Sequence, residues 1–442
     1  MDARPARLYT AACGLLGDRW VARPQVTVDD DGVIVATADG DEPPRTRAGV
    51  TVIDLGDAAL LPGLVNAHSH AFQRMIRGRT HARGDGDPSS FWSWREAMYR
   101  AAATLDPEGV YQVTRACFDE MLASGITCVG EFHYLHHQPD GAPYDDPCEL
   151  SLQVLRAARD VGIRLALLEV YYARAGAGQP PLPEQRRFVD GGVDAYLRRV
   201  EALLKLSDQT LSIGLAPHSV RAVDRAALTE LAAFARARDL PVHAHVSEQP
   251  RENAECLAEH GLTPTALLAA TGCLDRPRRF TAVHAIHVTA DDRALLADQS
   301  VCACPTTEAD LGDGIVDARA LFERGVNLSL GTDSNAIVDL IQEARLLEMH
   351  DRLRAQARLQ LAGPNGQVAP TLATIATRGG AVALGRPELG ALTVGAPFDA
   401  ITIDRHHRSL AGVPGEALLD ALLLAGTAAP VEQVYVGGAR RR

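Results

Sequence analysis

The sequence predicts an α/β fold, a (β/α)8 barrel, from three observations. Eight short apolar runs each end in polar residues. Amphipathic segments with apolar residues at helical spacing lie between them. Both ends of the chain hold only short β-rich runs broken by turn residues. A doubly wound open sheet uses the same alternation, but the glycine-rich dinucleotide turn it often carries is missing after the first run. The 442 residues suit one large barrel with additions, or roughly two to four smaller domains.

In chain order, residues 26–28 and 33–36 flank the turn Asp29-Asp30-Asp31-Gly32, and 50–55 is another strand-like run. The eight barrel runs are 60–67, 127–132, 164–171, 211–216, 242–246, 281–284, 301–304 and 326–331. Helical segments between them include 110–123, 151–160, 225–238 and 291–298. Residues 173–183, rich in Gly, Pro and Ala, read as a loop. Strand character returns at 400–403 and 434–436. No internal repeat or low-complexity segment interrupts this order.

Composition removes several function classes. Hydrophobic residues make up 46% and charged residues 23%, a globular balance that excludes collagen-like, coiled-coil and mostly disordered chains. A net charge of −12 gives no footprint for nucleic acid or an anionic membrane, so neither is expected as a partner. Lys205 is the only lysine, and its Leu-Leu-Lys-Leu-Ser setting fits neither a pyridoxal Schiff base nor a phosphate loop. The eight cysteines form no Cys-x-x-Cys pair, which argues against zinc ribbons and thioredoxin chemistry. Residues 1–7 lack the apolar core of a signal peptide, and no apolar stretch nears the roughly 18 residues of a membrane span. A reducing cytoplasm is expected.

In a barrel the chemistry collects where the strands end. Run one ends Asn66-Ala67-His68-Ser69-His70, run two Glu131-Phe132-His133-Tyr134, and run four Pro217-His218-Ser219-Val220-Arg221. Run five carries His243-Ala244-His245-Val246-Ser247-Glu248, and run six contains His284. Run seven leads to Thr306-Thr307-Glu308, and run eight to Thr332-Asp333-Ser334-Asn335. Side chains two apart on a strand share a face, so His68 and His70 can reach one metal ion. A lone pair of half-buried histidines is the plainer reading, but a third histidine and an aspartate at other strand ends outweigh it. Neutral imidazoles with a carboxylate suit Zn2+ or Fe2+. His245 is a better ligand candidate than His243, because Glu248 three residues on can act as proton carrier. His243, on the same strand face, reads either as a support behind the ligands or as packing, with packing the plainer reading. Arg221 is matched to a carboxylate, with Gln73 and Tyr134 as further donors.

These motifs resemble the deaminase-like branch of the amidohydrolase superfamily. The matching pieces are Pro62-Gly63-Leu64-Val65-Asn66-Ala67-His68-Ser69-His70, His245-x-x-Glu248, His284 and Gly331-Thr332-Asp333-Ser334, and they span the barrel. The resemblance implies a small β-sandwich from residues 1–60 and 389–442 around a barrel at 61–388. It implies His68, His70, His245 and Asp333 as metal ligands, with Glu248, His284 and Asp333 catalytic. Strand four lacks the bridging lysine of two-metal relatives, so one divalent ion is expected, Zn2+ with Fe2+ as the alternative.

Within that superfamily the chain resembles the formimidoylglutamate deiminases of histidine degradation. The segments are 68–74, 91–99, 131–137, 218–222 and 307–314. The resemblance implies hydrolysis of N-formimidoyl-L-glutamate to N-formyl-L-glutamate and ammonia. It assigns Gln73, Tyr134, His218 and Arg221 to the carboxylates of this small dicarboxylate substrate, Phe91-Trp92-Ser93-Trp94 to a loop covering the site, and the chain to a homodimer. Asn335 departs from the histidine expected there. Two rivals stand beside this reading. One is an aminohydrolase of a nucleobase or triazine-like ring, and the other is an inactive metal-binding barrel.

Overall fold

The computed structural model describes residues 6–40, 50–81 and 91–442. Residues 1–5 and the side chains of Phe91, Trp92 and Ser93 lie outside the description. Eight strands form one parallel sheet in chain order. They are β1 (Leu64–Ser69), β2 (Ile126–His133), β3 (Arg164–Tyr171), β4 (Leu211–Pro217), β5 (Val242–Val246), β6 (Phe280–His284), β7 (Ser300–Ala303) and β8 (Asn327–Leu330). The ring closes just past β8. There His70 N donates to the Asp333 carbonyl (2.9 Å) and Asp333 N to that of His68 (3.0 Å). Every residue of β1, β2, β3, β5, β6 and β7 is buried. Helices cover the barrel outside and side chains fill it inside, so these strands read as continuous apolar runs rather than alternating ones.

The expected helices form, and side-chain caps set the start of three of them. Asp224 accepts from Ala227 N ahead of Arg225–Arg238, and Asp106 accepts from Gly109 N ahead of Pro107–Ala123. Thr289 and Asp292 make a reciprocal cap that starts Ala290–Leu295 one residue earlier than the apolar spacing indicates.

Two expectations change. The run at 60–67 is two strands. Ala58–Pro62 pairs antiparallel with Ala400–Asp404 in a terminal sheet, and the barrel strand starts at Leu64. Pro62 has no N–H to continue a ladder. A Cβ at Gly63 would stand 2.2 Å from Thr127 Oγ1, so only glycine lets the chain cross there. The stretch expected as a covering loop is instead helix α1 (Phe91–Ala103), because Met98, Tyr99 and Ala102 give it one buried face.

The terminal segments build two further sheets. Ala6–Thr10, Gln25–Val28, Ile34–Ala38 and Val50–Asp54 make a four-stranded sheet, and Ala400–Asp404 lies within a six-stranded one. A separate apolar cluster, with Tyr9 stacked on Phe398 at 4.3 Å between centroids, joins residues of both sheets. Arg164 at the base of β3 makes two bonds to the Asp399 carboxylate, at 2.6 and 3.0 Å, with both side chains almost fully buried. This charge-assisted pair ties the barrel to the C-terminal segment. All eight cysteines are free and buried. Among the described residues no helix is long and apolar enough to cross a membrane.

Candidate metal centre and substrate pocket

Strand ends bring four of the singled-out side chains together. His68 and His70 leave β1 with their Nε2 atoms 3.1 Å apart. Asp333 Oδ1 lies 3.5 Å from the first and 3.3 Å from the second. With His245, one ligand atom from each of the four falls within a 4.8 Å cluster, and all four are buried.

The surroundings prepare these groups to hold a cation. His70 Nδ1 faces the Phe132 carbonyl at 2.9 Å, and His245 Nδ1 faces the His218 carbonyl at 3.0 Å. A carbonyl only accepts, so Nδ1 carries the hydrogen and the Nε2 lone pairs turn inward. Burial lowers the pKa of His68 and His245 and takes His70 to about 3, which keeps the rings neutral. Burial pushes Asp333 the other way, but His68, together with His284 and His70, outweighs this and holds the carboxyl ionised. Three neutral imidazoles and one carboxylate, converging through the Nε2 atoms of His68 and His70 and Oδ1 of Asp333, fit a divalent zinc-type ion.

Beside this cluster, His284 Nε2 stands 3.7 Å from Glu248 Oε1 and 3.7 Å from Asp333 Oδ2. Its Nδ1 is 3.3 Å from Glu308 Oε1. Burial pulls the imidazole down, yet the carboxylates of Glu248, Glu308 and Asp333 lift it well above its ordinary value. Burial also raises Glu248. Glu248, His284 and Asp333 thus form one contiguous group of acid–base side chains. His284 and Asp333 both sit at positive φ, 70° and 44°, an unfavourable conformation for these residues at the ends of two strands.

The pocket over these groups contains all four residues assigned to the substrate. Gln73 Nε2 donates to Tyr134 Oη at 2.7 Å, leaving Gln73 Oε1 without a partner. His218 Nδ1 lies 3.1 Å from Ser219 Oγ. Arg221 turns into the pocket with its Nε unpartnered among the described residues. A larger cavity of about 910 Å3 opens by Arg164, Gln209 and Arg386, but it includes none of these groups.

Several residues in or behind the pocket wall carry no signal in the sequence: Arg95, Tyr99 and Tyr172 line the pocket, and Gln185 and Glu252 support it from behind. Arg95 on α1 donates through Nε to Tyr99 Oη, and its Nη2 is 3.4 Å from Tyr172 Oη. Gln185 Nε2 bonds both hydroxyls, at 3.1 Å to Tyr99 and 2.7 Å to Tyr172. Buried Glu252 accepts from Glu248 N at 3.3 Å. His243 points elsewhere, with Nε2 2.8 Å from the Ala383 carbonyl. Asn335, at φ 55°, bonds Ser69 Oγ (3.2 Å) and the Asp333 carbonyl (3.0 Å), stitching the closure of the ring.

Residues 59–440 match the family model described as Amidohydrolase family. A formimidoylglutamate deiminase of Pseudomonas aeruginosa is 40% identical, covering 96% of this chain and 92% of that protein. The crystal structure of an amidohydrolase from Brucella melitensis superposes with a TM-score of 0.89 at 34% identity, covering 98% of this chain and 94% of the other. An adenosine deaminase from Xanthomonas campestris, solved with bound zinc, gives 0.83 at 27% identity, covering 98% and 92%.

Proposed function

The chain belongs to the amidohydrolase family, a family of hydrolases, and from that premise we propose that it deiminates N-formimidoyl-L-glutamate, giving N-formyl-L-glutamate and ammonia. The observation that carries the substrate is the pairing of an unsatisfied Arg221 with Arg95, Tyr134 and Gln73 in one pocket beside the four-ligand cluster. Two guanidinium groups with neutral donors suit the two carboxylates of a linear substrate. The named Pseudomonas relative supports the same choice.

His68, His70, His245 and Asp333 would hold one divalent ion, Zn2+ with Fe2+ as the alternative. Such an ion, when bound, lowers the pKa of water toward about 7 and makes a nucleophile available at neutral pH. Asp333 and His284 orient the attacking water at the formimidoyl carbon. Glu248 takes a proton from the attacking water and gives it to the imine nitrogen, which makes that carbon more electrophilic. The second proton of that water, released as the new carbonyl forms, passes through Glu248 to the departing amine. The C–N bond to that amine breaks and ammonia leaves. Gln73, Tyr134, His218 and Arg221 keep the carboxylates fixed, so the amidine stays presented to Glu248.

The same reading assigns the reaction to histidine degradation in the cytoplasm, by a homodimer. Eight reduced, buried cysteines support the reducing compartment. Product identity tests the reaction. Proton NMR of the mixture is expected to show N-formyl-L-glutamate with one equivalent of ammonia. Formamide and glutamate instead would mean that the other C–N bond breaks, and the role given to Glu248 fails.

A further inference from the structure

A second group of ligand-type side chains adjoins the first. His284, Cys304 and Asp333 bring one nitrogen, one sulfur and one oxygen within 4.8 Å of each other, and all three residues are buried. The two oxygens of Asp333 face different neighbours. Oδ1 looks to His68 and His70, whereas Oδ2 lies 3.7 Å from His284 Nε2. His284 is fully buried, and its Nε2 has no hydrogen-bond partner. Glu308 Oε1 fixes the set from behind, 3.3 Å from His284 Nδ1 and 2.8 Å from the Cys304 backbone N–H that it accepts. Gly331 leaves the thiol its space, because a Cβ there would stand 2.9 Å from Cys304 Sγ.

We propose that His284, Cys304 and Asp333 form a second, inhibitory site for a soft divalent ion, such as Cd2+ or excess Zn2+, with Asp333 shared between the two ions. The proposal rests on the function proposed above, in which Asp333 holds the first ion and His284 orients water. A tetrahedral ion with bonds of roughly 2.0–2.3 Å separates its ligand atoms by about 3.3–3.8 Å, close to the spacing of Nε2 and Oδ2. A sulfur ligand selects soft cations, which the first site, without sulfur, does not. On binding, the Cys304 S–H bond breaks, the sulfur–metal bond forms, and the proton goes to water. A proton carried on His284 Nε2 leaves the same way, and no oxidation state changes. With its lone pair taken, His284 can no longer orient water, so occupancy inhibits.

The test loads the full chain with one equivalent of Zn2+ and titrates it with Cd2+. Calorimetry, ultraviolet absorption and both metal contents are followed. The expected result is one zinc plus one cadmium per chain, a thiolate-to-cadmium absorption band, and activity lower by about 100-fold at saturation, the contribution of one acid–base group. Cys304→Ala should lose the band and the cadmium while keeping the zinc, and Cys302→Ala should keep all three. Cys304→Ser gives the same readout if the alanine variant does not fold. Cadmium replacing zinc one for one, a second ion without the band, or binding unchanged in Cys304→Ala would overturn the proposal. A chain that takes zinc, deiminates, and refuses cadmium refutes this inference alone. A chain that takes no zinc refutes the function beneath it as well.

Discussion

Replacing Arg221 by methionine removes a charge while keeping most of the side-chain volume. Arg174 donates to the carbonyls of Val220 (3.0 Å) and Arg221 (3.1 Å), and its guanidinium is itself held by Glu259. The backbone at Arg221 is therefore set before substrate arrives, and its Nε is left free for a ligand. Truncating one side of a desolvated charge pair costs about 2–5 kcal/mol. At about 1.36 kcal/mol per tenfold, kcat/KM for N-formimidoyl-L-glutamate should fall roughly 30-fold to several thousand-fold. The assay is steady-state ammonia release by Arg221→Met and wild type, on this substrate and on a formimidoyl amine without carboxylates. The neutral analogue should be poor for both proteins and nearly unaffected by the change. Thermal stability should hold or rise, because a cation with an unsatisfied donor leaves the pocket wall. Equal losses on both substrates with a lower Tm would show a structural arginine and refute the clamp.

Three further outcomes follow from the site. His70→Ala and Asp333→Ala should each lose bound metal and activity together, measured by elemental analysis, and full metal content in both variants would contradict the ligand set. Glu248→Gln keeps shape but cannot carry a proton, so kcat should drop by about 10²–10⁴ with metal content unchanged; loss of the metal would make Glu248 a support of the ligands instead. Burial raises Glu131 from its ordinary 4.5 to about 8, so the folded chain binds the extra proton between those values and stability falls as pH rises through that window. Glu131→Gln, which still accepts from Ala71 N, should flatten that fall in a Tm-against-pH series, and parallel curves would contradict it.

The barrel was legible because its strands are buried on both faces, so apolar runs marked them directly. The boundary at Gly63 was not, since the strands on either side are equally apolar and only tertiary pairing separates them. His68 and His70 could be paired from the two-residue strand period. The same period could not separate His243 from His245, because that depends on the Ala383 carbonyl reaching in from a distant helix. Arg221 and Tyr134 followed from their places after strand ends. Arg95, Tyr99, Tyr172 and Gln185 meet only when α1 and the segment around residue 185 fold over the barrel mouth, and no local pattern encodes that meeting. Cys304 reads in sequence as one more apolar-run cysteine. Its approach to Asp333 depends on the β7–β8 pairing and on the missing side chain of Gly331.

This metal centre is built for a linear dicarboxylate amidine and not for a ring. Ammonia release by the zinc-loaded protein on N-formimidoyl-L-glutamate, guanine, cytosine and adenosine, run in parallel, separates the two. The expected kcat/KM for N-formimidoyl-L-glutamate lies in the enzymatic range, above about 10⁴ M⁻¹s⁻¹, with ring substrates lower by at least a hundredfold. A ring that is deaminated faster than the amidine would contradict it, as would silence on all four from a chain that holds its zinc.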